Sequence, residues 1–273
     1  MKFRELTDNK LSPEDKNEQS LTIQDMPIAV VSMLSTIQQY HMLDDAHKLG
    51  IALSGGADSL ALLEGIAFLI NYNYLTSIEI IPIYINQYMD SQKEEKLKNY
   101  VLSRYGLALQ VFTIDTRPVA TSLIQRGKAP CRGCAPLRAK VLAKASSHLY
   151  LDALALGHHL NDIMATLLMN VFHRGKFETM QPVAFRKHNK QVPIVRPFYF
   201  TEEKHVKDVC PAGASGLFDC GMCTLHATER ARAMAYVEET FRIHSTSPHF
   251  AQESLQSLIQ MESVSLANIQ DLE

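Results

Sequence analysis

Ile51-Ala52-Leu53-Ser54-Gly55-Gly56-Ala57-Asp58-Ser59-Leu60 decides how this chain is read. Three apolar residues form a short strand that stops at a Ser-Gly-Gly turn. Leu60, Leu62, Leu63, Ile66 and Ala67 then recur at helical spacing. The unit is therefore strand, loop, helix. Paired glycines let the backbone turn tightly and aim successive N–H groups at one point, where the positive end of the following helix adds to them. Such a turn suits an anion, phosphate above all. The hydroxyls of Ser54 and Ser59 are further donors, and Asp58 is placed to hold Mg²⁺ or to orient the loop. No lysine follows the glycines as in G-x-x-x-x-G-K-[ST], and the dinucleotide G-x-G-x-x-G spacing is not met. Taken without its flanks, the string has an alternative reading as only a turn with a good helix cap.

Outward from this unit the alternation repeats. Apolar strand candidates at Ile78–Ile85, Leu107–Ile114 and Ala153–Leu156 are separated by helical patterns at Ser91–Arg104 and Ala135–His148, and Leu160–Phe172 follows. A helix carrying Ile28, Val31, Leu34 and Ile37 precedes the loop and runs through Leu43 towards Gly50, and Val192–Val195 supplies a fifth strand. Further helices are expected around Glu202–Val209, Thr224–Ile243 and Ser254–Met261. The fold class is α/β, a parallel sheet of about five strands with helices on both faces. Right-handed crossovers place every strand's carboxyl end on one rim. A polar tail over residues 1–25, a main domain over 26–245 and a helical tail over 246–273 divide the chain.

At 273 residues and 46% hydrophobic content the chain can bury one large core. The formal charge is −2, but residues 101–200 hold 14 Lys and Arg against 4 Asp and Glu, so a basic middle lies between acidic ends. Arg126, Lys128, Arg132, Arg138, Lys140, Lys144, Arg174 and Lys176 belong to this excess, which reads as a stripe facing RNA phosphates. The first 26 residues lack the apolar core of a leader, and no apolar run reaches the ~20 residues of a membrane span, so a cytoplasmic protein is expected. All five cysteines fall between Cys131 and Cys223, in Cys131-Arg-Gly-Cys134, Cys210 and Cys220-Gly-Met-Cys223. Each Cys-x-x-Cys pair lies just ahead of an expected helix and can bring two sulfurs to one metal. Four thiolates around structural zinc and three around a [4Fe-4S] cluster remain alternatives on spacing alone.

The loop resembles the PP-loop ATP pyrophosphatase signature S-G-G-x-D-S. With Cys131-Arg-Gly-Cys134, Leu156-Gly157-His158-His159-Leu160-Asn161-Asp162, Asn170-Val-Phe172, Gly175-Lys176, Met180-Gln-Pro182 and Val195-Arg196-Pro197, the chain is similar from Gly50 to Cys223 to the tRNA 2-thiocytidine synthetase family. That resemblance implies ATP-dependent adenylation of a pyrimidine C2 oxygen, followed by sulfur insertion with release of AMP. It implies ATP, Mg²⁺ and a [4Fe-4S] cluster on Cys131, Cys134 and Cys220. Ser54, Gly55, Gly56, Asp58, Ser59, Gly157 and His158 would bind the nucleotide, with Asp58 and Asp162 in catalytic roles. The implied partners are tRNA, a sulfur donor such as a cysteine desulfurase, and a second copy in a homodimer. Ala57 stands where that family usually carries lysine, and Asn161 replaces the first of two acidic residues. The reading from a different class is a non-catalytic RNA-binding protein of the same fold, stapled by zinc through both cysteine pairs.

Overall fold

A computed structural model describes residues 23–186, 189–211 and 229–243. In chain order the elements are α1 (Ile28–Gln39), β1 (Lys48–Leu53), α2 (Ala57–Asn71), β2 (Glu79–Asn86), α3 (Ser91–Tyr105) and β3 (Gln110–Thr113). Then follow α4 (Arg117–Gln125), α5 (Cys131–His148), β4 (Ala153–Ala155), α6 (Leu160–Arg174), β5 (Val183–Arg186), β6 (Asn189–Val195), α7 (Glu203–Val209) and α8 (Glu229–Ile243). The sheet order is β3-β2-β1-β4-β6-β5. Every pairing is parallel except β5 with β6, which is antiparallel and irregular between Ala184 and Arg186.

This order places the site. From β1 the chain steps outward through β2 to β3, then returns to lay β4 on the other side of β1. The connections leaving β1 and β4 therefore diverge, and a crevice opens at the carboxyl ends of those two strands. The loop after β1 is Ser54-Gly55-Gly56, and the segment after β4 is Leu156-Gly157-His158-His159. Both motifs read from sequence thus meet at one switch point.

The core explains why α2 is held rigidly there. Leu60, Leu62, Leu63, Ile66 and Leu69 are fully buried, as are Leu49 and Ile51 of β1 beneath them. Gly65 admits Met33 of α1, whose Cε would lie only 2.6 Å from a Cβ at that position. Glu64, 3% exposed, takes two hydrogen bonds from Arg104 at 2.8 and 3.1 Å and one from the Tyr105 hydroxyl at 2.5 Å. Burial and the Glu64 charge push the Tyr105 phenol far above its ordinary range, so it stays a donor. A buried carboxylate so surrounded ties the end of α3 to the middle of α2.

Four differences from the sequence reading have physical causes. The sheet has six strands: β5 is a four-residue antiparallel edge strand on β6. The first helix ends at Gln39 instead of continuing towards Gly50. Tyr40 closes it and His41 takes φ 50, a left-handed turn without glycine. Arg117–Gln125 is helical, with Pro118 in its first turn. The fourth concerns Cys131 and Cys134. They do not precede the helix at Ala135; they form its first turn, with Pro136 inside the helix. The helix expected at Ser254–Met261, most of both tails, and Cys220 and Cys223 lie outside the described residues.

Candidate active site

The loop is braced by its own hydroxyls. Ser59 Oγ donates to Gly56 O at 2.9 Å and accepts from Ser54 N–H at 3.1 Å. Ser54 Oγ accepts from Gly56 N–H at 3.2 Å and lies 3.2 Å from Ser59 Oγ. Gly55 sits at φ 82, a conformation that strains any residue with a Cβ. α2 starts at Ala57, so the first-turn N–H groups point out of the helix end without intrahelical acceptors. Glycine turn, paired hydroxyls and helix start together make a cradle for an oxyanion.

Gly157 holds the second strand end against this cradle. A Cβ at Gly157 would stand 2.8 Å from Asp58 O, 3.0 Å from Asp58 C and 3.2 Å from Ser59 N. These are backbone atoms, which no rotamer change can move aside. Glycine is therefore required for the approach of the β4 end to the first turn of α2.

Two histidines follow. His159 is 2% exposed; its Nε2 lies 3.9 Å from Asp58 Oδ2 and 3.6 Å from Asp162 Oδ2. Its backbone N–H donates to Asp162 Oδ2 at 3.3 Å, the reach of a third-position carboxylate back to the residue that starts a helix. Asp162 Oδ1 accepts from the Arg230 guanidinium of α8 at 2.5 Å. Burial alone would raise the Asp162 pKa, but His159, Arg230 and His158 together hold it below the usual carboxylate value. Asp58 differs. Burial raises its pKa, His159 pulls it back, and the carboxylates of Asp162 and Glu203 push it up again. Its side chain remains 41% exposed, open to the crevice.

His158 is driven down to about 4, first by burial and then by Arg196, Arg230 and Arg138, against the pull of Asp162. It is neutral at physiological pH, and its buried Nδ1 has no hydrogen-bond partner among the described residues, as is true of His159 Nδ1. Arg138 lies one turn beyond Cys134 on α5, so the helix that carries the thiols contributes to the field at His158.

The thiol turn itself has Cys131 exposed and Cys134 buried, three apart on one helical face. Val119 and Leu123 of α4 press on Gly133 between them, where a Cβ would meet Val119 Cγ1 at 2.3 Å. Arg132 reaches Glu229 at 3.6 Å. Among the described residues no group of three or more His, Cys, Asp or Glu converges on a metal position.

The structure thus brings Ser54, Gly55, Gly56, Asp58, Ser59, Gly157, His158 and Asp162 to one crevice. Cys131 and Cys134 stand together at the start of the helix bearing Arg138. Sequence reasoning missed Arg230, which meets Asp162 across a separation of 68 residues. It also missed the role of Asn161, whose Oδ1 accepts the Glu203 N–H at 2.9 Å and so anchors the start of α7 beside the loop. No local pattern announces either contact.

The PP-loop domain family matches residues 29–216. A tRNA-cytidine(32) 2-sulfurtransferase of Nitrosospira multiformis is 32% identical over 189 residues, covering 69% of this chain and 62% of that protein. Another, of Francisella tularensis subsp. novicida, is 31% identical over 187 residues, 68% of this chain and 69% of that protein. The matched region thus spans somewhat under two thirds of the first relative. A U34-tRNA thiolase from Methanococcus maripaludis, solved with its [4Fe-4S] cluster, superimposes with a TM-score of 0.65 at 18% identity, over 85% of this chain and 78% of that one. That likeness concerns the fold. No helix among the described residues is long and apolar enough to cross a membrane.

Proposed function

Because the chain belongs to the PP-loop family and is similar to curated proteins named as tRNA-cytidine(32) 2-sulfurtransferases, we propose that it is an ATP-dependent tRNA 2-thiolation enzyme. In this reading the C2 oxygen of a pyrimidine attacks the α-phosphorus of ATP and pyrophosphate departs. Sulfur then displaces AMP from the activated carbon. Activation is needed because a carbonyl oxygen leaves poorly and AMP leaves well. The observation that supports this most strongly is convergence: the start of α2 packs against Gly157, the partly open Asp58 lies by His159, and the thiol-bearing helix contributes the Arg138 charge acting on the neighbouring His158.

Each residue has a role that follows from its surroundings. Ser54, Gly55, Gly56 and Ser59 receive the pyrophosphate end of ATP. Asp58 fits Mg²⁺, which takes one or two carboxylates beside phosphate oxygens and would spread the developing charge. Asp162 is engaged by Arg230 and by the His159 N–H, so we assign it a positioning role: it fixes the start of α6 and the two histidines. Neutral His158, with an unsatisfied buried nitrogen, is suited to a hydrogen bond with the nucleotide.

Cys131 and Cys134 fit one edge of a [4Fe-4S] cluster, since two thiols three apart in a first helical turn also gain from the helix N-terminus. Cys220, outside the described residues, is the third ligand in this proposal. When bound, such a cluster offers an iron not held by protein that can carry the sulfur to be transferred. The protein's own part is to hold the thiols, exclude water at buried Cys134 and present RNA through the basic surface. Arg132, Arg138, Lys140 and Lys144 on α5, and Arg126 and Lys128 in the turn before it, are all exposed. A cysteine desulfurase as sulfur donor and a homodimer complete the proposal.

The test is mass spectrometry of tRNA nucleosides from a strain lacking the gene, together with AMP release by the purified protein. Loss of one thiolated pyrimidine and AMP formation dependent on tRNA are expected. A colourless protein with one bound zinc and no AMP release would identify it as a non-catalytic RNA binder.

A further inference from the structure

The C-terminal end of α6 presents a surface that the nucleotide and thiol sites do not use. Phe172 is 75% exposed and Phe177 49%, and among the described residues neither ring stacks on another aromatic. Isolated exposed apolar side chains are ordinary. Here, however, two phenyl rings enclose His173, Arg174 and Lys176, all exposed, within six residues.

The backbone beneath them is fixed. Gly175 takes φ 61 and its N–H donates to Val171 O at 3.1 Å; Lys176 N–H donates to Asn170 O at 3.2 Å. Asn170 Nδ2 then donates to Glu178 O at 2.8 Å, so the chain is folded back on the helix end. Rings on such a base offer flat apolar faces at little cost in ordering on binding.

The same surface adjoins the thiol turn. A single oxygen, Glu229 Oε2, lies 3.7 Å from His173 Nε2 and 3.6 Å from Arg132, the residue after Cys131. One carboxylate therefore separates the residue beside Phe172 from the residue beside Cys131. Around it, Arg126, Lys128, Arg132, Arg174 and Lys176 are exposed, with Glu178 near Lys176 at 3.8 Å. Flat apolar faces within a cationic rim complement unpaired bases on a phosphate chain. The apolar face of a second copy of this chain would gain nothing from that rim.

We propose that Phe172 and Phe177 are a stacking platform for unpaired bases of an RNA loop, with Arg174, Lys176 and Arg132 on its phosphates, and that the platform delivers one base to the Cys131 turn. This rests on the thiolation reading and specifies how that substrate is held. Stacking is sequence-tolerant and contributes about 1–3 kcal/mol per base by alanine substitution, or roughly 5- to 150-fold in affinity.

The experiment measures affinity of the full-length protein for two RNAs of equal length, an unmodified tRNA anticodon stem-loop transcript and a fully paired duplex. Wild type is expected to prefer the stem-loop. Phe172→Ala and Phe177→Ala should each lower stem-loop affinity by that factor and leave duplex affinity unchanged, while Phe172→Trp retains the preference. ATP binding without RNA serves as the control for folding. Equal stem-loop affinity in wild type and both alanine variants overturns the platform. So does dissociation of a dimer in Phe172→Ala with RNA binding intact, because the face then joins two copies. Thiolation persisting with no loss of loop affinity would sink the platform alone; loop preference intact with no thiolated nucleoside would sink the activity alone.

Discussion

Replacing Gly157 with alanine tests the geometry of the crevice more directly than removing any functional side chain. The added methyl would fall 2.8 Å from Asp58 O, 3.0 Å from Asp58 C and 3.2 Å from Ser59 N. Ordinary carbon contacts lie near 3.5–4.0 Å, so the start of α2 and the end of β4 must separate by about half an ångström to one ångström. Overpacking of this kind costs about 1–3 kcal/mol, which in a domain of this size lowers Tm by roughly 2–12 °C. The functional loss should be larger. The displaced atoms belong to the turn proposed to position phosphate, and a shift near 1 Å can reduce turnover by about 100-fold. Calorimetric unfolding, ATP titration and tRNA-dependent AMP release on the same preparation separate these effects. Gly106→Ala is the control: φ 68 makes alanine strained there, yet nothing lies within 4 Å of its Cβ. That variant should lose about 1 kcal/mol of stability and no ATP affinity. A Gly157→Ala protein with wild-type ATP affinity and AMP release would refute the assignment of this contact to nucleotide positioning.

The two site carboxylates should respond oppositely to neutralisation. Asp58 is raised in the fold, so at neutral pH its charge opposes folding; Asp58→Asn should raise Tm at pH 7, an advantage that shrinks as pH falls through the carboxylate range, while AMP release drops by at least 100-fold. Asp162 is lowered, so its contribution is present above the unfolded value and lost as acid titrates the folded group; Asp162→Asn should lower Tm at pH 7 and make little difference in strong acid. Unfolding curves from pH 3 to 8 decide both, and a parallel response of the two variants would be inconsistent with their surroundings. His158, held near 4 against an unfolded value of 6.5, stays neutral while the unfolded chain takes up a proton, so stability should decline between those pH values by on the order of 3 kcal/mol and then level off. His158→Gln should flatten that segment of the profile; an unchanged slope would assign it to other groups. Under anaerobic purification, Cys131→Ser, Cys134→Ser and Cys220→Ser should each remove iron and visible absorption, and Cys223→Ser should not, with ATP binding intact throughout. Equal loss for Cys220 and Cys223 would point to four-thiolate ligation.

The parts of the site legible in the sequence are those whose signal is local. Ser54 to Ser59 follow a strand and open a helix, so glycine, hydroxyl and helix-start chemistry coincide within six residues. Gly157 and His158 were likewise found at a strand end, although the need for glycine there proved to be backbone approach. The start of α5 lies earlier than the sequence pattern puts it. The structure carries Pro136 inside the helix and places both thiols in the first turn, ahead of the expected start at Ala135. β5 escaped because four residues at a sheet edge show little periodicity and are paired only through β6. α4 was available in principle: Thr116 precedes it and Pro118 lies in its first turn.

What no local rule supplies is where the first turn of α8, a helix expected within Thr224–Ile243, docks. Its first two residues diverge around the helix, and Glu229 turns to Arg132 and His173 while Arg230 turns to Asp162. One helical turn therefore reaches the thiol-bearing start of α5 and both ends of α6. Through Asp162, Arg230 is thereby linked to His159 at the crevice. The opposite pKa directions of Asp58 and Asp162 fit this division. Asp162 is stabilised by its partners and gives up reactivity for position. Asp58 keeps an open face and an electrostatic cost at neutral pH, which suits the nucleotide and metal partners proposed for it.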